Sequence, residues 1–252
     1  FPIGVEGGKT STCPTQNLME AYDMKDGTPF VWNNQSNPYD NRDPRMKYTI
    51  VCNEMKWPVD PVEIWEGGTN GLPLQNATTT GYYLKKYVNN TISFEAGSTV
   101  TKKQHNWVLF RYGEILLNYA EAMINAFHDP NYKDAVYNMS AREAVNQIRG
   151  RTNISLPGFP SDITEKDFVK RLKNERRVEL AFEGHRFWDV RRWKELGQTA
   201  NIYGVKITKN NEVISYEKFL LETRAVTDNM YFYPIPNTER FKNPNLGQNP
   251  GW

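Results

Sequence analysis

Three glutamates, Glu175, Glu179 and Glu183, recur at intervals that stack their carboxylates along one face of a helix. Paired carboxylates serve glycosidases, where one of them acts as a general acid with a raised pKa. Arginines crowd this segment, and a neighbouring guanidinium lowers the pKa of a carboxyl group. The pattern therefore favours a structural, partly buried ion-pair network, whose candidate members are Glu175, Arg176, Glu179, Glu183, Arg186 and Asp189.

Other catalytic and metal-binding patterns are missing from the sequence. Its three histidines, His105, His128 and His185, form no close pair of the kind that binds zinc. The loop at Asp40–Asp43 has oxygen ligands suited to Ca²⁺, but it lacks EF-hand spacing, which favours a solvated turn. Neither a nucleophile elbow nor a phosphate-binding glycine motif occurs. We therefore expect a protein that is not an enzyme, with no metal and no cofactor.

Aromatic residues give the stronger indication of a ligand. The chain has 7 Trp, 14 Tyr and 12 Phe, and many of them lie on turn-rich loops beside amides and carboxylates. A ring face can cover the apolar face of a sugar while polar side chains bind its hydroxyls. The alternative is that each ring fills a small core beneath a loop. The candidate ligand-binding residues are Trp32, Asn34, Trp57, Trp65 and Tyr82.

Two regions differ in the elements that would position these residues. Gly, Pro, Asn and Asp punctuate residues 1–105, which predicts a loop-rich segment with short strands at 48–52 and 82–88 and a short helix after Thr15. Residues 106–252 carry apolar positions at helical spacing. There we predict helices over 107–127 and 140–151 and a third helix that begins at 164, which residues 187–196 either extend or follow as a separate helix. We also predict a hairpin of 205–207 with 212–214 and a non-helical, proline-rich tail over 233–252.

The local signals sharpen these predictions. Ser140 and Glu143 form a capping-box pattern, and Gly197 is placed to end the third helix. The helices over 107–127 and 140–151 should pair antiparallel, because only about a dozen residues separate them. We expect the two regions to belong to one continuous domain.

The overall composition excludes some classes of partner. The chain has 252 residues and a formal net charge of only +2, from 31 Lys and Arg against 29 Asp and Glu. Such a balance lacks the basic excess typical of nucleic-acid binders, so we expect no nucleic-acid partner. No apolar run is long enough for a membrane span, and the first residues do not form a signal peptide. Two cysteines, Cys13 and Cys52, are too few for a disulfide framework.

Several segments together resemble the SusD/RagB family. The most specific is the run over 175–193, and a helix signature covers 110–122. Further matches occur in the expected order along the chain: Arg42-Asp43-Pro44-Arg45, Thr80-Gly81-Tyr82-Tyr83, 145–151 and 234–252. The resemblance implies a mainly α fold of tetratricopeptide-like helix pairs, packed with a loop-rich region that contains a few short strands.

The same resemblance implies a function. Members of the family are binding proteins on the outer membrane of Bacteroidetes, where they capture glycans such as starch, or other nutrients. They are surface-exposed lipoproteins that act with a TonB-dependent, SusC-like transporter. Members are also longer and carry a lipidated N-terminal cysteine, so we expect this chain to be the C-terminal half of a longer parent. The alternative is a helical protein-interaction module without a ligand site of its own, and a third possibility is a glycoside hydrolase.

Overall fold

The computed structural model describes residues 2–3, 8, 10–33, 37–89, 91–92, 99, 101 and 103–252. Its helices are α1 (Gln16–Met19), α2 (Pro44–Thr49), α3 (Tyr112–Phe127), α4 (Ala141–Arg149), α5 (Glu165–Glu179), α6 (His185–Arg192) and α7 (Asn237–Lys242). Its strands are β1 (Ile50–Val51), β2 (Tyr83–Leu84), β3 (Asn201–Asn210) and β4 (Val213–Thr223). No described helix has both the length and the apolar composition that crossing a bilayer would require.

Helices α3, α4 and α5 pack against one another around an apolar core. Leu117 and Ile124 of α3 meet Val145 and Ile148 of α4, and Phe168 of α5 completes the contact. These residues lie at the helical spacing that puts them on one face of each helix. The two helices that were predicted to pair, α3 and α4, are in contact. The fold is mainly α with loops, as the resemblance implies.

Side-chain caps fix where two of these helices begin. The Ser140 hydroxyl accepts a hydrogen bond from the backbone N–H of Glu143, and the Glu143 carboxylate accepts one from the N–H of Ser140. Thr164 caps α5 in the same way through the N–H of Asp167. Each cap satisfies backbone donors that have no partner inside the helix. The capping box expected at Ser140 is confirmed.

Helix α3 begins later than predicted. Residues 107–110 are not helical, and their side chains are exposed, with Trp107 83% accessible. Arg111 has an extended backbone, and its guanidinium is held by two glutamates of the α5–α6 region. That anchor separates the apolar run from the helix, so the start predicted at residue 107 is wrong.

Residues 164–196 form two helices rather than one continuous helix. Helix α5 ends at Glu179, and the chain then turns through Phe182 and Gly184, both of which have a positive φ. A left-handed residue cannot continue a right-handed helix, so α6 sets out in a new direction. Lys194, rather than Gly197, is the left-handed residue that follows α6. The expected cap at Gly197 is therefore wrong.

The loop-rich region contains a helix that the sequence analysis missed. Asp43 accepts a hydrogen bond from the N–H of Arg45, and Pro44 occupies the first position of α2. Proline is favoured there because that N–H would have no partner in the helix. Strand β1 follows α2 directly and pairs antiparallel with β2. Both strands are shorter than predicted. Strand β1 is short because α2 takes up the first two residues of the run over 48–52.

Strands β3 and β4 form a hairpin that is longer than the short one predicted. Val205 and Ile207 of β3 and Tyr216 of β4 reach a second core, where they meet Tyr22 and Tyr82 of the loop-rich region. The tail also differs from prediction, because α7 forms between Pro236 and Pro244. The stretch between these two prolines is long enough for a short helix.

Gly81 lies at a close contact between the loop-rich region and the hairpin. Its φ is +81°, and a Cβ placed there would lie 2.4 Å from the Val205 carbonyl oxygen. The N–H of Val205 donates to the carbonyl of Thr80, which holds the two segments together. Only glycine combines this conformation with this contact.

We expect Gly81→Ala to lower the free energy of unfolding by about 2–4 kcal/mol, through left-handed strain and overpacking. Urea denaturation measures the change. The control is Gly247→Ala, since no described atom lies within 4 Å of a Cβ at that position. Equal stability of the two variants would contradict the prediction.

Candidate functional site

Glu175 joins three segments of the chain at the boundary between the two cores. It is 2% exposed, and it pairs with Arg45 of α2 and with Arg149 of α4, whose Nη1 lies 2.7 Å from Oε2. Burial opposes ionisation of Glu175, but the charges of the two arginines outweigh it and lower the pKa. The carboxylate is therefore held ionised in the interior.

Glu179 lies one turn further along α5 and accepts bonds from three arginines. Arg151 binds it in a bidentate manner, at 2.7 and 3.0 Å. Arg45 and Arg111 complete the set at 2.9 and 2.6 Å. Burial raises the pKa of Glu179, but hydrogen bonds and charge from these arginines outweigh it and lower the pKa to about 2. Such a group cannot act as a general acid near neutral pH.

The remaining candidates of the predicted network pair nearby. Glu183 accepts from Arg111, at 2.7 Å, and from Lys86, at 2.6 Å. Arg176 pairs with Asp189 at 2.8 Å, which ties α5 to α6. Most of the cationic partners could not be predicted from the sequence, because they come from distant segments: Arg45, Lys86, Arg111, Arg149 and Arg151.

Arg186 differs from the prediction that it is paired within this network. It is half-buried, its Nη2 donates to Oε1 of Gln198 at 2.7 Å, and no carboxylate of the described chain lies within ion-pair distance. The turn at Gly184 breaks the helical register, so Arg186 does not continue the stripe of Glu175 and Glu179. It lines a cavity instead.

That cavity, here called the arginine cavity, has a volume of about 460 Å³. It lies between the segment that follows α1 and helices α5 and α6. Phe30 forms an aromatic part of its wall, and the Arg42 guanidinium lies 3.5 Å from the Phe30 ring centroid. The charged and amide residues of the wall are Glu20, Asp23, Lys166, Lys170, Arg171, Lys173, Asn174, Arg177, Arg186, Glu195 and Gln198.

The predicted aromatic ligand residues fall into two groups. Tyr82 is fully buried, with its hydroxyl donating to Gln16, and Trp57 is 8% exposed in the same core. Their ring faces are not available to a sugar, because both pack inside the loop-rich region. The expectation that they form a surface platform is therefore wrong.

Trp32 and Trp65 are half-buried against that core. Trp32 packs edge-on to Phe30, with ring centroids 6.4 Å apart, which places it beside the arginine cavity. Trp65 lies under the Lys209 ammonium, 4.5 Å from its ring. Its neighbours Ile64 and Glu66 line a second groove of about 510 Å³ along the hairpin. Asn34 lies outside the described residues.

The profile of the SusD family matches residues 4–252. This chain belongs to the SusD family. A SusD-like protein of Formosa agariphila, P38, is 37% identical over 150 residues, covering 57% of this chain and 24% of the relative. Another from the same organism, P2, is 29% identical over 163 residues, or 62% of this chain and 28% of the relative.

Solved structures agree with the SusD family assignment. A SusD-like protein of Bacteroides fragilis is 28% identical, with a TM-score of 0.73 over 95% of this chain and 47% of its own. A second protein of that species, described as a SusD-like carbohydrate binding protein, shares the fold at 24% identity and a TM-score of 0.71. It is matched over 96% of this chain and 49% of its own. The chain thus spans about half the length of these solved relatives and about a quarter of the curated ones.

The first prediction from the network concerns its central carboxylate. Glu179→Ala leaves three buried or half-buried arginines without their shared partner, so the free energy of unfolding should fall by about 3–5 kcal/mol. Chemical denaturation measures it. The control is Glu239→Ala, which removes an exposed pair with Lys242 and should cost less than about 1 kcal/mol. A loss at Glu179 no larger than at Glu239 would show that the network is not needed for stability.

The second prediction concerns pH. The pKa of Glu179 falls from 4.5 to about 2 on folding, which corresponds to about 3 kcal/mol. Below the unfolded value the unfolded chain binds the proton first. The stabilisation is therefore complete above about pH 5 and is lost as the pH falls towards about 2. Urea denaturation of the wild type and Glu179→Gln from pH 7 to pH 3 should show a steeper loss for the wild type. If the free energies of unfolding of the two proteins fell in parallel with pH, Glu179 would not be a source of the acid sensitivity.

Proposed function

We propose that this chain is part of a glycan-binding protein that captures oligosaccharide at the bacterial surface. Membership of the SusD family over residues 4–252 is the observation that carries the proposal. It is supported by the structural relative that is described as a carbohydrate binding protein. Within this chain, the arginine cavity is the site that we propose for the sugar.

The arginine cavity combines the two kinds of group that a sugar requires. Phe30 offers an aromatic surface, and Trp32 extends it on one side. Amide and carboxylate groups of Asn174, Gln198 and Glu20 lie on the same wall and can bond hydroxyl groups. Apolar ring faces with a few polar side chains are the usual means of orienting a sugar in a protein site.

Binding without catalysis is the activity that we propose. The carboxylates that the sequence presented as a possible acid and base, Glu175 and Glu179, are occupied by arginines, and both pKa values are lowered. Glycoside hydrolysis needs one carboxyl group that stays protonated near neutral pH. The network therefore has a structural role in this proposal.

The full-length parent would act at the outer membrane as a surface-exposed, lipid-anchored protein. There it would deliver its ligand to a TonB-dependent, SusC-like transporter. Family membership supports this part of the proposal. Affinity purification of the tagged parent from detergent-solubilised outer membranes tests it, and recovery of a TonB-dependent transporter is the expected result. Recovery of the parent without any such transporter would count against delivery.

A second candidate function is a protein-interaction module without a ligand. It is favoured by an exposed aromatic run before α3, where Trp107, Phe110 and Tyr112 are 83%, 78% and 67% accessible. Apolar groups exposed next to one another are typical of protein interfaces. In this reading the helices present a docking surface, and the cavity binds no sugar.

Substitution of the two tryptophans distinguishes these functions. Trp32→Ala should weaken oligosaccharide binding by about 1–2 kcal/mol, the value of one stacking contact. Trp107→Ala is the control and should bind normally, because Trp107 is 83% accessible and does not line the cavity. Isothermal titration calorimetry with a panel of oligosaccharides measures both, after thermal melts show that the variants fold. If the wild-type chain and its parent bind no sugar on the panel, the interaction module becomes the better account.

A further inference from the structure

Four cationic residues of α5 lie on one stripe that faces the arginine cavity. Lys166, Lys170, Lys173 and Arg177 are spaced by four, three and four residues, and all of them line its wall. The stripe extends for about 16 Å along the helix axis, at 1.5 Å per residue. Arg186 from α6 stands at the Arg177 end of it.

Each acidic residue of the cavity is already paired with a cation, which lies either outside the wall or on it. Glu20 pairs with Lys218 at 2.8 Å, and Asp23 with Arg149 at 3.4 Å. Glu195 pairs with Lys173 at 2.5 Å. The wall holds six basic side chains against these three acidic ones, so it keeps a positive excess.

Two guanidiniums of the wall are left without a carboxylate. Arg177 is half-buried and makes no hydrogen bond or ion pair with any residue that the structure describes. Arg186 donates to Gln198 but has no ion pair with the described chain. Burial, and then repulsion by Arg186, lowers the pKa of Arg177 to about 10. A guanidinium has five N–H donors, which an anion in the cavity can satisfy.

We propose that Arg177 and Arg186 form a subsite for an anionic group, a carboxylate or a sulfate, on an acidic glycan. The inference rests on the proposed function and names the class of sugar that this cavity takes. An anion between the two guanidiniums satisfies their donors and removes their mutual repulsion.

The dimensions of the cavity favour a glycan over a free inorganic anion. Its volume of about 460 Å³ is far larger than sulfate or phosphate needs, and it suits a site for an oligomer. Lys166 and Lys170 are exposed and continue the positive stripe away from Arg177. Phe30, on the cavity wall, offers an apolar surface for a sugar ring.

The experiment is calorimetric titration of the chain with an oligogalacturonate, a sulfated dextran oligomer and a neutral dextran oligomer of matched length. The two acidic probes separate carboxylate from sulfate as the recognised group. We expect an acidic oligomer to bind at least about tenfold more tightly than the neutral one. Affinity for it should also fall as salt rises, because exposed charges are screened.

Two variants and one control locate the subsite. Arg177→Gln and Arg186→Gln should each weaken acidic-oligomer binding about tenfold and leave neutral-oligomer binding unchanged. Arg191→Gln, on α6 beside Phe187, is the control and should bind like the wild type. Because Arg177 has no described partner, the melting temperature of Arg177→Gln should not fall below that of the wild type. If Arg177 had a structural role, its substitution would lower the melting temperature.

The failures are distinguishable. If neutral and acidic oligomers bind equally, and the arginine variants do not change either affinity, the anionic subsite is wrong while the proposed function stands. If inorganic sulfate binds and no acidic oligomer does, the site holds an adventitious ion only, and the proposed glycan subsite is wrong. If no oligomer binds to the chain or to its full-length parent, both proposals fail.

Discussion

The architecture depends on the pairing of carboxylates that are buried in the interior. Glu175 and Glu179 are buried on α5, and each must be surrounded by cations. The arginines that supply them come from α2, from the residue before α3 and from the end of α4. Satisfying two carboxylates therefore fixes three segments relative to one helix. The apolar cores on either side determine how tightly the segments pack, and the ion pairs determine which segments meet.

The sequence predicted the elements whose signals are local. The Ser140 capping box and the apolar stripe of α4 are complete within a dozen residues, so they could be read without knowing the fold. The start of α3 could not, because it depends on Arg111 binding glutamates about seventy positions away. The break after α5 was also unreadable, since Phe182 takes a left-handed conformation that its own type does not favour.

The candidate site shows the same division. The spacing of the glutamates indicated a stripe of carboxylates, and the arginines around it indicated pairing, but not which arginines. Loop aromatics were harder to place, because a turn-rich segment can enclose a core of its own. Tyr82 and Trp57 fill that core, while Trp32, in a similar local context, stays at its edge. The sequence alone could not distinguish Arg177 and Arg186, which lack a carboxylate partner, from the paired arginines beside them. Only the packing of α6 shows that they lack carboxylates.

The contact between Arg45 and Glu179 spans 134 positions of the chain. Bringing such distant residues together restricts a long loop, and the associated entropy must be overcome before the contact contributes anything. During synthesis from the N-terminus, Arg45 emerges long before Glu179. The loop-rich region therefore cannot dock onto α5 until α5 has also been synthesised. The helices α3, α4 and α5 have nearer partners and can assemble first. The buried ion pairs would then form late in folding and join the loop-rich region to a helical core that is already in place.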